Sequence, residues 1–215
     1  SDAPLWPQEL VHNGAGLFLK VSAFDPTAPI RVLRLHEDWS GVADTVLSFV
    51  EDEPDAASCR FCPLTVDPSG RVLAARGDTV YRVSALDRSG RPTRVFARPD
   101  LPAVRRSEDE LERLREQARR IVGAEGAGEP DFSGHRPRFP AGTVRTDARG
   151  RVWLLPSVPA GRPGILDVFT PDARHVATIE LDIPVLRFEI RHGWLLAVSE
   201  TAIGEPTVVQ YRLAG

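Results

Sequence analysis

Asp67-Pro-Ser-Gly-Arg-Val72 and, 80 residues on, Asp147-Ala-Arg-Gly-Arg-Val152 are two copies of one pattern. Each places an Asp…Gly turn directly before an apolar, β-prone run: Val72-Leu73-Ala74-Ala75 in the first copy, Val152-Trp153-Leu154-Leu155 in the second. About 20 residues further, each is followed by a second turn between strands, in Tyr81-Arg-Val-Ser-Ala-Leu-Asp87-Arg-Ser-Gly90 and in Ile165-Leu-Asp-Val-Phe-Thr-Pro171-Asp172-Ala-Arg. A strand–turn–strand unit of roughly 40 residues that recurs along a chain marks a β-propeller blade. The expected fold is therefore all-β: a β-propeller with about four blade units, at about 3–50, 62–98, 142–182 and 185–214.

The outer units carry the same period-2 alternation. Leu17 to Phe24, Arg31 to Leu35 and Thr45 to Val50 read as strands of the first, with turns at Asn13-Gly14 and Trp39-Ser40-Gly41. Gly193 to Ser199 and Thr207 to Leu213 read as strands of the last. Val72, Leu73, Val152, Trp153, Leu154, Leu195 and Val198 are the expected core. Between the second and third units, residues 99–141 differ in character. Ser107-Glu-Asp-Glu110 is a capping-box sequence, and Leu111, Leu114, Ala118, Ile121 and Val122 share one helical face. Acids crowd the first turn and Arg119-Arg120 the last, as the helix dipole favours. The spacing predicts one inserted amphipathic helix over 108–122. The Gly/Pro-rich stretch after it, with Arg136 and Arg138, reads as a connector over the propeller or as a docking surface.

Composition excludes several classes. A net charge of −3 and a pI near 6.0 give no electrostatic footprint for nucleic acid. No apolar run approaches the roughly 18–20 residues that span a bilayer as a helix. The 215 residues, 42% of them hydrophobic, suffice for one packed core. The sequence holds no methionine, even at position 1, as expected of a processed or partial chain. Lys20 is the one lysine among 27 basic residues and Asn13 the one asparagine; with abundant Arg, Ala and Pro this points to a bacterial source.

The D-x-x-G-R-V turns, Gly150-Arg-Val-Trp153, Asp167-Val-Phe-Thr-Pro171-Asp172, the acidic helical insertion and the closing Val208-Val-Gln-Tyr-Arg-Leu213 strand together resemble a bacterial family of six-bladed propellers related to NHL and TolB-like proteins. The resemblance implies about six blades, against four units here. Earlier blades, a second chain, or closure of the four units on themselves would each resolve the difference.

Few residues are arranged for chemistry. Cys59-Arg-Phe-Cys62 has redox spacing, but Pro63 replaces the histidine of a haem attachment site, and no second ligand pair accompanies it for zinc. A short-loop disulfide in an exported protein is the expectation, with free thiols and a metal site as alternatives. The histidines 12, 36, 135, 175 and 192 are widely spaced, and neither a nucleophile elbow nor a Walker loop occurs. With one asparagine, the chain is poorly supplied for the calcium site of a propeller lactonase. The expected function is a non-catalytic scaffold or binding propeller with no cofactor and no catalytic or metal residues. It would act as an exported accessory subunit, periplasmic or extracellular, of a larger protein complex that a membrane could hold. Trp6, Trp39, Glu112, Arg113, Glu116 and Arg120 are the candidate partner contacts. The alternative is a hydrolase or lyase with a metal-dependent site in the central channel.

Overall fold

The computed structural model describes residues 6–13, 15–23, 28–50, 62–76, 79–122, 134–200 and 205–213. Four antiparallel sheets stand in a ring like a four-bladed propeller. The first blade holds β1 (Trp6–Asn13), β2 (Gly16–Ser22), β3 (Ile30–Leu35) and β4 (Val42–Phe49). The second holds β5 (Leu64–Val66), β6 (Val72–Ala75), β7 (Arg82–Leu86) and β8 (Pro92–Ala97). After α1 (Glu108–Val122) comes the third, with β9 (Val144–Thr146), β10 (Val152–Leu154), β11 (Ile165–Phe169) and β12 (His175–Glu180). The fourth has three strands, β13 (Arg187–Arg191), β14 (Trp194–Glu200) and β15 (Pro206–Arg212). Strands follow chain order in every sheet, and the first strands of successive blades approach one another at the hub.

The repeated motif is one turn used four times. Asp67 Oδ1 accepts the N–H groups of Ser69 (2.9 Å) and Arg71 (3.0 Å). Asp87 does the same for Ser89 and Arg91, and Asp147 for Arg149 and Arg151. Thr170 Oγ1 takes the place of the carboxylate in the fourth copy, accepting from Arg174 N at 3.1 Å. The fourth position of each turn is left-handed: Gly70 (φ 84°), Gly90 (82°), Gly150 (73°) and, in the last copy, Ala173 (67°). A side chain strains that conformation by about 1–2 kcal/mol. The glycines nonetheless differ, because a Cβ on Gly90 would meet Phe49 Cβ of the first blade at 2.7 Å, whereas one on Gly70 meets nothing within 4 Å. Gly70→Ala should therefore cost about 1 kcal/mol and Gly90→Ala about 3 kcal/mol, measured by urea denaturation; equal costs would show that Gly90 does not hold the seam.

The core lies in the seams between blades. Phe18, Val32 and Leu47 meet Leu64, Val66 and Val72 at the first seam. Leu73, Val83 and Phe96 meet Val144, Leu154 and Phe169 at the second, where Phe96 packs edge-on to Phe169 at 5.9 Å. Trp153, Leu166 and Val168 meet Phe188 and Leu195 at the third. Among the described residues no such cluster joins the fourth blade to the first. Of the expected core, Val198 is only half-buried and the rest are buried. Trp194, which like Trp153 follows a turn near the start of a strand, is 37% exposed while Trp153 is 3%. The alternation explains it: Leu195 and Ala197 turn toward the third blade, so Trp194 turns away.

The insertion is fastened through its arginines. Ser107 Oγ accepts Glu110 N–H at 3.2 Å, as the capping box requires. The Glu110 carboxylate receives Arg136 Nη2 at 2.7 Å, and the same guanidinium donates to Val158 O. Arg138, 3% exposed, donates to the Leu101, Pro102 and Thr79 carbonyls and lies 6.0 Å from the Tyr81 ring centre. Both arginines thus serve attachment to the propeller, which favours the connector reading of this stretch over docking.

Candidate functional site

Three places hold the residues that could carry function: a buried carboxylate in the second seam, a charged hub, and the outward side of the fourth blade. Asp167 sits mid-strand in the apolar β11 and is fully buried. A buried charge must be paired, and here it is paired from both blades. Tyr81 Oη donates to Oδ2 at 2.6 Å, and Arg98 Nη1 donates to Oδ1 at 2.9 Å. Thr178 Oγ1 also donates to Oδ1, and His175 Nε2 lies 3.2 Å from it. Burial, and then the neighbouring carboxylate, push the Tyr81 hydroxyl far above the usual tyrosine range, so it stays a donor. His175 leans onto this cluster with its ring against Phe169 at 5.1 Å.

An Asp–His–Thr grouping invites a catalytic reading, and the nitrogen positions argue against it. A relay needs the carboxylate on one ring nitrogen and the hydroxyl on the other. Here the same Nε2 faces both Asp167 Oδ1 (3.2 Å) and Thr178 Oγ1 (3.1 Å). The cluster is a clamp between the second and third blades.

At the hub, Arg145 of β9 reaches the inner strands of the adjacent fourth blade and of the first blade. Its Nε donates to Glu189 of β13 at 2.7 Å, and its Nη1 lies 3.9 Å from Glu9 of β1. Glu9 Oε2 also accepts Leu64 N–H of β5 at 3.2 Å, so one carboxylate touches the first strands of two other blades. The chain's one lysine and one asparagine line the same region. Buried Lys20 donates to Cys62 O at 2.7 Å, and Asn13 Nδ2 donates to Val66 O, which Thr146 Oγ1 also approaches at 3.3 Å. Burial raises the Glu9 carboxyl above its usual range; Leu64 N–H, Arg145 and Lys20 oppose the shift, and Glu189 adds to it. A carboxyl raised this way can act as an acid or base, but both hub carboxylates are already held by Arg145. No cluster of three or more metal-ligating side chains occurs among the described residues.

The residues expected to meet a partner are not brought together. Glu112 pairs with Arg115 (3.3 Å) and Arg119 (3.6 Å), Glu116 with Arg120 (4.0 Å), and Arg113 donates to Asp109 O, all within α1. Trp39 is 63% exposed in the turn between β3 and β4, on a different element. Trp6 opens β1. Cys62 is buried beside β5; Cys59 lies outside the described residues.

What the sequence reading missed is the fourth blade's outward side. Trp194, Leu196 and Val198 of β14 alternate onto it, and Val208 of β15, 64% exposed, stands opposite Val198. The first blade's face turned from the second blade is mixed: Leu17, Val21 and Leu33 are buried on it, while Leu10 and Val42 at its edges are each 52% exposed.

No protein-family model matches the chain, and no curated protein does. A solved structure of a protein of unknown function from Bacteroides caccae is similar in fold, with a TM-score of 0.53 at 10% identity. The match covers 99% of this chain and 65% of that one, so this chain spans less than two thirds of its length.

Proposed function

We propose that this chain is a non-catalytic propeller that works by holding other polypeptides, as an exported accessory or scaffold subunit of a larger complex. The observation that carries the reading is the exposed apolar side of the fourth blade, Trp194 and Val208 above Leu196 and Val198, beside polar clusters that are saturated internally. Aromatic and aliphatic surface of this kind is what a protein interface buries at its centre. Trp194→Glu with Val208→Glu is expected to abolish association with the native complex and to leave the circular dichroism and melting of the chain unchanged. Retained association would overturn the reading. A metal-dependent hydrolase or lyase in the channel competes, on the strength of the raised Glu9 carboxyl; the Arg145 bridge weighs against it.

Export is supported by cysteine usage: no free cysteine occurs among the described residues, and disulfides belong to oxidising compartments. A Cys59–Cys62 bond is expected, read as a two-hydrogen deficit in the unreduced mass. A chain that alkylates fully without reductant would remove this support.

A further inference from the structure

Three of the four sheets end in a fourth, outer strand, and the fourth sheet ends at β15. Among the described residues the far edge of β15 pairs with nothing, so a row of its backbone N–H and C=O groups faces outward along seven residues. Beside this edge, between the third and fourth blades, lies a groove of about 530 Å³. Its floor is apolar, with Trp153, Val168, Ala177 and Ile179 on one wall and Leu195 and Tyr211 on the other. Its rim mixes signs, with Glu180 and Asp182 against Arg151 and Arg212.

The neighbouring seam shows what occupies this place elsewhere in the molecule. There the third blade's own fourth strand, β12, pairs with β11 and turns His175 and Thr178 onto the Arg98 and Asp167 of the seam. The groove is thus continuous with an interface already built, and it lies where the side chains of a fourth strand on β15 would point. Backbone hydrogen bonds along an open edge supply affinity, and pockets for alternate side chains supply selectivity.

We propose that β15 is a strand-addition site: an extended segment of a partner polypeptide pairs with it as the fourth strand of the fourth blade and seats alternate apolar side chains in the groove. The mixed rim suits a segment whose remaining side chains are polar and of both signs. This inference rests on the binding reading above and adds the form of the partner. It uses the blade's edge and its inward groove, whereas that reading uses the outward face of Trp194 and Val208.

The test uses the full chain and a fluorescent ten-residue peptide of alternating valine and threonine, with a copy carrying two central prolines as control. The expected result is saturable binding of the first peptide and none of the second, with slowed hydrogen exchange at outward-facing amides of residues 206–212. Val176→Glu, at a groove position 48% exposed and therefore tolerant of change, is expected to weaken binding at least tenfold. Val42→Glu, at an exposed position of the first blade, is expected to leave peptide binding within twofold. Equal binding of both peptides, binding without exchange protection, an unaffected Val176→Glu, or outward β15 amides already protected in the free chain would each overturn the strand site. If the peptide results fail while the Trp194→Glu, Val208→Glu double variant still abolishes association, the strand site falls and the binding reading stands. If the peptide results hold while that variant associates normally, the outward face is the part that falls.

Discussion

Replacing Asp167 with alanine is expected to unfold the chain more readily than any other single polar substitution, by about 4 kcal/mol. The carboxylate is fully buried and accepts hydrogen bonds from Tyr81, Arg98 and Thr178. Its removal leaves the buried Tyr81 hydroxyl without its acceptor and leaves the Arg98 guanidinium only the more exposed Asp100 as a carboxylate partner, and a buried pair broken on one side is costly in this way. Asp167→Asn keeps the shape and one acceptor oxygen, so about half that loss is expected. Urea denaturation of both variants measures the difference. A loss under about 1 kcal/mol for the alanine would show that the cluster is not the clamp described.

The second large effect belongs to Arg145. Removing it as Arg145→Ala leaves Glu9 and Glu189 facing each other without their shared cation, at a cost of about 2 kcal/mol near neutral pH. The sign of its pH dependence follows from Glu9. Burial holds the folded carboxyl above its unfolded value, so the folded state keeps a proton that the unfolded state has released. The stability this provides is full below the unfolded value of about 4.3 and is lost as pH rises through the folded one. In Arg145→Ala the Glu9 carboxyl should rise further, and the loss of stability should therefore shrink as pH falls toward 5. Adding Glu9→Gln should remove that slope, which thermal melts across the range would record. A slope unchanged by Glu9→Gln would place the titrating group elsewhere.

The turns and the helix were the legible part of this chain, because local rules determine them. An aspartate that caps its own turn, followed by a glycine at positive φ, is written within five residues, and so is a capped helix with dipole-matched ends. Glu110 shows where that ends: the sequence places it to reach back to Ser107, and it instead holds Arg136, 26 residues away. Asp167 did leave a trace, as a charge inside the apolar run Ile165-Leu-Asp-Val-Phe169, and a charge there has to be answered by partners. Nothing local says that the partners are Tyr81 and Arg98, which approach only when two blades pack. Arg145, Glu9 and Glu189 were illegible for the same reason, since each lies on the inner strand of a different blade. The exposure of Trp194 depends on what stands beyond the fourth blade, which alternation along one strand does not record.

On the proposed function, this molecule acts through contact with other polypeptides at its fourth blade. A photo-crosslinking residue at position 208, compared in living cells with one at exposed position 88 in the second blade's turn, measures that contact directly. The account predicts a discrete crosslinked product to one polypeptide from position 208, absent from position 88 and lost when Trp194→Glu is added. Crosslinking at 208 no different from that at 88, in a chain that stays a cooperatively folded monomer, would contradict it.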